Sequence, residues 1–475
     1  MGAAGAADSI FFSSQKRMTP TKTAYIIALI LALVVLRGLI YGLVIPFDQA
    51  PDEKHHFELV KAKELQLRQA DDAEIARTAA AFQKTWLLLL SPDRPENQFT
   101  DADFADARLP RPPAASDFYY LSMAWLLKLL NLQSLSAEIY ALRGVSTLCG
   151  LVVVGMAFLI AQTLFPQAPF SCLGVPLFIT FIPQFAAMNG AINNDKFAEV
   201  WIAVFLWLLV KMFKHGVRAS YLSAELMVLG LAICSKRTSY FLIPLFGLML
   251  FVYIWKASLG LKMHLVLAVG LLGVALVTYL LLWHPAFHQF VKSKLWIPPA
   301  REIHQIIFRA ELISPAFLKY YAKFATVMYW SFWGVFGYMT IHLHHFWYVA
   351  AAIFQGLAVL GLVKMVRQVK QQTLKLAAWQ AKTLYLYGAS IVLIVALMFF
   401  RSILFKMNEP FYEQGRHLFT VVIPIGVLTI LGLERLFAPV SRRWVGGLGL
   451  LGLILLDVVC LSNYILLNFH ARALF

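Results

Sequence analysis

The sequence is poor in charged residues. Asp, Glu, Lys and Arg together make up only 14% of its 475 residues, whereas 60% are hydrophobic. A soluble domain turns a polar surface towards water, and so little charge cannot cover a chain of this size. The composition therefore excludes a soluble globular protein and predicts an all-α, polytopic integral membrane protein.

Cysteine is also scarce. The four cysteines, Cys149, Cys172, Cys234 and Cys460, lie in or beside apolar runs and show no CxxC spacing. Disulfide frameworks and cysteine metal sites both use short, recurring spacings, so neither is indicated. We expect these thiols to be buried and inert.

Acidic residues are outnumbered by basic ones, 25 to 41, which gives a formal net charge of +16. In a membrane protein such an excess marks cytoplasmic loops, so nucleic acid is not expected as a partner. The segments rich in Lys and Arg, which interrupt the apolar runs of the chain, lie at residues 16–22, 211–218, 256–262, 364–382 and 435–443. Placing all of them on the cytoplasmic side predicts an N-terminus inside and a first span that is a retained anchor.

Apolar runs separate these segments. They lie at residues 23–45, 143–163, 171–190, 196–213, 219–234, 239–255, 263–283, 346–364, 383–403, 417–435 and 444–466. Since a bilayer requires about 20 apolar residues per helix, we expect about 11–13 transmembrane helices. Residues 118–130 are too few to span easily and predict an interfacial or re-entrant helix. The aromatic stretch 317–338 fits either that description or a further pair of crossings.

The first loop on the predicted outer side, residues 46–116, is too long to be a simple connector. We expect helices over residues 53–69 and 72–90, followed by a polar, proline-rich stretch. Near its start the sequence reads PFDQAPDEKHHF, which places Asp48, Asp52, Glu53, His55 and His56 at the end of a membrane helix. Ionisable groups at that depth are costly to desolvate and are usually retained for function.

Other polar groups fall on the same predicted side. Asn193, Asn194 and Asp195 precede a helix, and an ordinary N-cap role would explain one of them. Three such residues in a row exceed what a cap needs. Lys236 and Arg237 break an apolar hairpin, where they fit either a solvated turn or a phosphate site.

Two further features leave alternatives open. Arg416 stands where a helix re-enters the bilayer, and an ion pair with nearby Glu413 would explain it. His55 and His56, beside the acids, leave a divalent cation open, although no spacing identifies a metal. The sequence therefore identifies no cofactor and leaves a divalent cation open.

This arrangement suits one reaction in particular. A carboxylate can accept the proton of an acceptor hydroxyl while cations stabilise a departing lipid phosphate. An inverting displacement needs only one base, and Asp52 would suffice. The pattern therefore predicts an inverting glycosyltransferase that uses a polyprenyl phosphate sugar, with the long outer loop as a lid that excludes water.

The sequence also resembles a known superfamily. The motifs PDEKHHF, RPPAASDFYY, NND, SKRTSYFLIPL, SFWGVFGYM and QGRHLF follow one another over most of the chain. In this order they resemble bacterial membrane proteins allied to the GT-C glycosyltransferases, which include protein mannosyltransferases and the aminoarabinose transferase of lipid A. The resemblance implies a GT-C fold, with a conserved module over residues 1–283 and a variable module over residues 284–475 whose outer loop covers residues 284–345.

The resemblance also implies roles for particular residues. An acidic pair after the first helix supplies the catalytic Asp in that superfamily, and the matching pair here is Asp52 and Glu53. A second acid before a later helix matches Asp195. Arg111, before a Pro-Pro pair, stands where the aminoarabinose type has Lys, so the positive charge is kept.

These considerations define an expected site. The catalytic residues are Asp52, Glu53 and Asp195; the donor phosphate is bound by Lys236, Arg237, Arg416 and Arg111; and the supporting residues are Asp48, His55, His56, Asn193, Asn194, Tyr119, Trp333 and Glu413. The expected partners are the lipid-linked donor, an acceptor that is a lipid, a glycan or a protein, and membrane lipids. We place the protein in the bacterial cytoplasmic membrane, with its active site facing outside.

A transporter or flippase of a lipid-linked saccharide is the alternative. Such a protein would carry polar residues near the midplane and show broken helices in repeated halves. The sequence shows no such symmetry. Asp457, an acid within the last span, is expected instead to bond to another helix.

Overall fold

The structure is a computed structural model that describes residues 19–90, 104, 107–110, 118–256, 272, 315–406, 414–437 and 439–474. Over these ranges the regular elements are helices, apart from one two-stranded antiparallel hairpin. The chain is therefore an all-α, multi-pass membrane protein, as its composition predicts.

Sixteen α-helices follow one another along the described chain. They are α1 (Pro20–Val44), α2 (Glu53–Arg68), α3 (Asp72–Leu90), α4 (Phe118–Leu130), α5 (Leu135–Leu164), α6 (Pro169–Thr180), α7 (Pro183–Asn189), α8 (Asn194–His215), α9 (Ala219–Ser235), α10 (Leu242–Lys256), α11 (Pro315–Trp333), α12 (His345–Lys370), α13 (Ala378–Lys406), α14 (Val422–Leu436), α15 (Pro439–Val459) and α16 (Leu467–Leu474). Short 3-10 helices at Arg237–Phe241 and Gly415–Val421 lead into α10 and α14, and a π-helical turn at Cys460–Leu466 joins α15 to α16. Strands β1 (Val335–Phe336) and β2 (Ile341–His342) form the hairpin between α11 and α12.

Predicted spans within the described residues coincide with helical segments, although 171–190 is divided between α6 and α7. Apart from residue 272, the span predicted at 263–283 lies outside the described residues. Among the described helices, six are long and apolar enough to cross a bilayer, or seven if the pair α6 and α7, bent by 63°, is one span. Three more apolar helices are shorter. The stretch 317–338 is one helix running into a hairpin, so it does not provide a pair of crossings.

The ends of the helices follow from local sequence. Thr19 caps α1 by accepting a hydrogen bond from the amide of Lys22, and Pro20 occupies the first turn, where its missing N–H costs nothing. Ser134 caps α5 in the same way through the amide of Ala137. Predicted helices over 53–69 and 72–90 are confirmed as α2 and α3.

Helix α5 lies at the centre of the N-terminal half, where it packs against α1, α6 and α8. Helix α6 also packs against α14, which in turn packs against α12, so a single large apolar core runs through both halves. The first loop carries a second, smaller core. It is formed by Phe47, Phe57 and Phe82 with apolar residues of α4 and the start of α5.

One close approach fixes the turn between α7 and α8. A Cβ atom at Gly190 would meet the main chain of Gly38 and Gly42 on α1. Only glycine permits this contact between backbones. It holds the segment that leads to Asn193 against the end of α1, beside the first loop.

The first and last spans are joined by a buried ion pair. Arg37 on α1 donates to both carboxylate oxygens of Asp457 on α15, with the Nε–Oδ2 bond at 2.8 Å. The hydroxyl of Tyr41 donates to the same carboxylate at 2.7 Å. The prediction that Asp457 bonds to another helix is confirmed, and its partner is a cation as well as a hydroxyl.

The four cysteines are all free thiols. Cys149, Cys172 and Cys460 are buried as predicted, but Cys234 is exposed, and the expectation was wrong there. It lies on α9, whose apolar side chains are exposed at several positions, such as Leu226 and Met227. Apolar neighbours in the sequence indicate burial in a soluble protein, whereas on a membrane helix they also mark the outer surface.

Removing Asp457 should destabilise the helical bundle, because Arg37 would remain buried without a counter-charge. We expect Asp457→Leu to lose about 3–5 kcal/mol of stability, the usual cost of breaking a buried pair from one side. Thermal unfolding in detergent measures the loss. The double variant Arg37→Leu/Asp457→Leu should recover most of it, and equal losses in the single and double variants would contradict the role of the pair.

Candidate functional site

The ion pair between Glu53 and Arg143 is the centre of the first loop. Glu53 is completely buried, and Arg143 on α5 donates to both of its carboxylate oxygens at 2.8 Å. The backbone amides of Asp48 and Ile192 donate to the same carboxylate at 3.0 Å. Arg143 also donates to the carbonyls of Gly42 and Ile45 at the end of α1. The carboxylate of Glu53 is thus fully engaged in holding four chain segments together.

Asp48 is held in a similar way. Its carboxylate accepts hydrogen bonds from the indole of Trp86 at 2.8 Å, the hydroxyl of Tyr338 at 3.1 Å and the amide of Lys54 at 3.3 Å. The side chain is buried, and this burial raises the pKa of Asp48. Asp48 therefore links the loop to α3 and to the hairpin.

Asp52 differs from both neighbouring acids because its side chain is 56% exposed. Its backbone φ is +64°, a left-handed conformation that is uncommon outside glycine, and its side chain does not cap α2. The guanidinium of Arg416 forms an ion pair with the Asp52 carboxylate and also donates to the carbonyl of Pro51 at 2.8 Å. The turn thus presents one accessible carboxylate that is tied to a buried cation.

A second ion pair lies beside the first. The ammonium of Lys236 is 2.8 Å from a carboxylate oxygen of Asp195 and donates to the side-chain oxygen of Asn194 at 2.6 Å. Asn193 is the helix cap, because its side chain accepts from the amide of Asp195 at 2.7 Å. His417 approaches the other oxygen of Asp195 at 3.9 Å. One of the three adjacent polar residues therefore caps α8, and the other two hold a lysine.

His56 lies between these charges and the second apolar core. It is buried, its Nδ1 is hydrogen-bonded to the hydroxyl of Tyr120 at 2.8 Å, and the ring of Tyr119 meets its edge. Burial, together with the positive charges of Lys236 and Arg416, lowers the pKa of His56 to about 3. His56 is therefore neutral at physiological pH and does not supply a positive charge.

The charges of the two acids and the two cations shift the pKa values of Asp52, Asp195 and Lys236. Burial alone would raise the pKa of Asp52, but the charge and hydrogen bond of Arg416, together with the charge of Lys236, outweigh it, so the pKa of Asp52 lies below its ordinary value. Burial would also raise the pKa of Asp195. Interactions with Lys236, His417 and Arg416 outweigh this effect and hold the pKa of Asp195 well below its ordinary value. Burial lowers the pKa of Lys236. We call Asp52, Arg416, Asp195 and Lys236 the charge cluster.

A cavity of about 540 Å³ opens beside the charge cluster. Asp52 and Pro51 line one side, α11 lines another, and the β1–β2 hairpin closes it. The hairpin turn holds Gly337, Tyr338 and Met339 at φ between +55° and +70°, and the amide of Tyr338 donates to the carbonyl of Gln49 at 3.1 Å. Successive left-handed residues are strained and persist only where surrounding contacts hold them, often at functional sites.

Gly415 determines the position of Arg416. Its amide donates to the hydroxyl of Ser331 on α11 at 2.7 Å, and a Cβ atom there would collide with the main chain of Met328 and Phe332. The contact therefore requires glycine. It explains why a Gly-Arg pair stands at this point of the sequence.

The remaining predicted residues lie elsewhere. Arg237 and His55 are exposed, and Arg237 begins a 3-10 helix directly after the half-buried Lys236. Trp333 is buried in the main core against Phe178 and Phe332. Arg111 and Glu413 lie outside the described residues.

Several residues of the site were not predicted from sequence as parts of it. Arg143, Tyr120, His417 and Tyr338 were not assigned roles, although three of them belong to or adjoin motifs that the sequence analysis quotes. Their partners are far away along the chain, so no local spacing marks them. A charged residue inside an apolar run, as at Arg143, is the one available signal.

Within the described ranges, no three or more His, Cys, Asp or Glu side chains are grouped so that they could hold a metal ion. The acids of the charge cluster are paired with cations instead. The arrangement is suited to binding an anion that exchanges with a carboxylate.

Fold and site together define a multi-pass helical membrane protein with a cluster of paired charges at one end of its helices. A comparison with models of known protein families found no match, and a comparison with curated proteins found none either. The function is therefore inferred from the residues of the site.

Gly415→Ala should displace the segment that carries Arg416. We expect a loss of about 1–3 kcal/mol of stability, as for other substitutions that overfill a packed contact. Gly356→Ala on α12 is the matched control, since a Cβ atom there meets nothing within 4 Å. Thermal unfolding of the two variants in detergent tests this, and equal midpoints would contradict the packing role of Gly415.

Proposed function

We propose that this protein is an inverting glycosyltransferase of the GT-C type that transfers a sugar from a polyprenyl phosphate donor to an acceptor hydroxyl. One observation carries the proposal. The partly exposed carboxylate of Asp52 lines a cavity and forms an ion pair with Arg416, while Lys236 is close enough to affect its pKa. A candidate base that lines the cavity is thus accompanied by two cations, Arg416 in direct contact and Lys236 nearby.

In the proposed reaction, Asp52 is the general base. Its carboxylate takes the proton of the acceptor hydroxyl, whose oxygen attacks the anomeric carbon of the donor sugar. The bond between that carbon and the phosphate oxygen breaks, and the lipid phosphate leaves with the electron pair. No general acid is needed, because a phosphate is a good leaving group.

Arg416 and Lys236 are assigned to the phosphate. Arg can grip two phosphate oxygens at once, and Lys acts as a point charge. In the structure both cations are occupied by carboxylates. A donor phosphate that takes Arg416 would release Asp52, and the pKa of Asp52 would rise. Donor binding would therefore turn a weak base into a stronger one before the acceptor reacts.

Asp195 and Glu53 receive different roles. The contacts of Asp195 with Lys236 suit a residue that positions the phosphate-binding lysine. Glu53 has no exposed surface, and its oxygens are used by Arg143 and two amides, which suits a structural group rather than a base. We also propose that the site faces outside the bacterial cytoplasmic membrane, because the segments rich in Lys and Arg are expected on the opposite side.

Asp52→Asn should abolish transfer while leaving the fold intact, because the amide keeps the size of the side chain and cannot accept the proton. We expect at least about a 100-fold loss of kcat, the lower end of general-base contributions. The assay uses the purified protein in lipid with radiolabelled polyprenyl phosphate sugars. Asp72→Asn is the matched control, since Asp72 lies exposed at the start of α3 in the same loop.

Turnover of Asp52→Asn at the wild-type rate would exclude Asp52 as the base. If the wild type transfers no sugar from any donor but moves a lipid-linked saccharide across vesicles, the protein is a transporter. Lys236→Ala should weaken donor binding more than acceptor binding, and an equal effect on both would contradict its assignment to phosphate.

The acid limb of the pH profile should report Asp52. Activity falls as pH drops through the pKa of the base, which Arg416 holds below its ordinary value in the free protein. In Arg416→Gln, burial acts without that opposing charge, so the acid limb of kcat/KM should move to higher pH. Arg68→Gln in the same loop is the control, and an unmoved limb in Arg416→Gln would contradict the pairing.

A further inference from the structure

The cavity beside Asp52 is lined by both polar and apolar residues. Its lining residues include Asp52, Lys323, Trp330, Tyr338, His342 and Gln414. Pockets for small molecules combine apolar and aromatic walls with a few placed polar groups, in volumes of about 300–1,000 Å³. A cavity of about 540 Å³ therefore has room for one or two sugar residues.

One wall is a face of α11. Lys323, Thr326, Val327 and Trp330 line the cavity and recur every three or four residues, so they lie along one side of the helix. Lys323 and Thr326 are exposed, and Trp330 is partly exposed. The helix thus offers a cation and an aromatic ring about two turns apart.

The Trp330 ring is held rigidly. It stacks on Tyr348 with ring centres 4.9 Å apart and planes 7° from parallel. Tyr348 is itself anchored, because its hydroxyl donates to the carbonyl of Gly334 at 2.7 Å and accepts from the amide of Leu343 at 3.1 Å. The edges of His342 and His345 also meet Trp330. A fixed aromatic surface loses little entropy when a ligand binds to it.

The hairpin holds this wall against the first loop. The hydroxyl of Tyr338 donates to Asp48, and the amide of Tyr338 donates to the carbonyl of Gln49. Asp48 and Gln49 lie a few residues before Asp52. The hairpin beside the aromatic wall and the segment that leads to the candidate base are therefore connected by two hydrogen bonds of 3.1 Å.

We propose that this cavity is the acceptor subsite and that it takes a saccharide carrying an anionic group, either a carboxylate or a phosphate. The proposal rests on the proposed function. Trp330 receives the apolar C–H face of the sugar ring, and Lys323 receives the anion. The anion is directed to Lys323 because Lys323 is the lysine of the cavity lining. The acceptor hydroxyl is then directed towards Asp52.

Binding without donor tests the subsite separately from catalysis. The full-length protein in nanodiscs is titrated with three probes, methyl glucuronoside, glucose 6-phosphate and methyl glucoside, and saturation-transfer NMR measures the affinities. We expect the wild type to bind at least one anionic probe about tenfold or more tightly than the neutral one, which is the effect of one well-placed charged contact. The stronger anionic probe distinguishes a uronate from a sugar phosphate.

Lys323→Gln should remove the preference for the anionic probe while leaving the affinity for methyl glucoside unchanged. Lys319→Gln, one turn away on α11, is the matched control because Lys319 is exposed and is not part of the cavity lining. Trp330→Leu should weaken binding of all three probes. An unchanged preference in Lys323→Gln, equal affinities in the wild type or no binding of any probe would overturn the proposal.

Measuring transfer and probe binding on the same preparations separates the two proposals. Probe binding that follows Lys323 in a wild type that transfers no sugar would support the saccharide subsite and contradict the glycosyltransferase. Transfer that depends on Asp52, together with probe binding that is independent of Lys323, would contradict the subsite alone.

Discussion

The rest of the site depends on the buried ion pair between Glu53 and Arg143. Both oxygens of the carboxylate are used, and the guanidinium also bonds two carbonyls at the end of α1. A buried pair with all its partners satisfied is stable, whereas loss of one member leaves a charge in an apolar interior. Because Asp52 directly precedes Glu53, the pair also determines where the exposed carboxylate lies. The amide of Ile192 donates to the Glu53 carboxylate, so the pair also holds the turn that leads to Asp195.

The charge cluster is balanced without a ligand. Asp52 and Asp195 neutralise Arg416 and Lys236, and the low pKa of His56 keeps that ring neutral. Four charges can therefore lie beside an apolar core at moderate cost. An incoming phosphate has to exchange with a carboxylate rather than fill an empty site. That exchange provides a physical link between donor binding and the strength of the candidate base.

The site is shared between the two halves of the chain. Asp52, Asp195 and Lys236 belong to the N-terminal half, whereas Arg416 and the cavity walls come from α11, the hairpin and the segment before α14. Gly415 packs directly on the backbone of α11, and Tyr338 bonds the first loop. Neither half could form the cavity alone. This division explains why short motifs more than 350 residues apart, such as PDE and QGR, occur together.

The helices and much of the site follow from local sequence. Apolar runs of membrane length predict where helices form, and the positions of basic residues predict that Asp52, Asp195, Lys236 and Arg416 share one side of the membrane. Ion pairs join Asp52 to Arg416 and Asp195 to Lys236. Which of three neighbouring acids is accessible depends on the tertiary structure. Asp48, Asp52 and Glu53 have the same local pattern, but Glu53 is buried by Arg143, 90 residues away, and Asp48 by Trp86 and Tyr338. Likewise, Lys236 is turned inward to Asp195 and Arg237 outward. Local periodicity cannot encode these differences, because each depends on a partner that folding brings from a distant part of the chain.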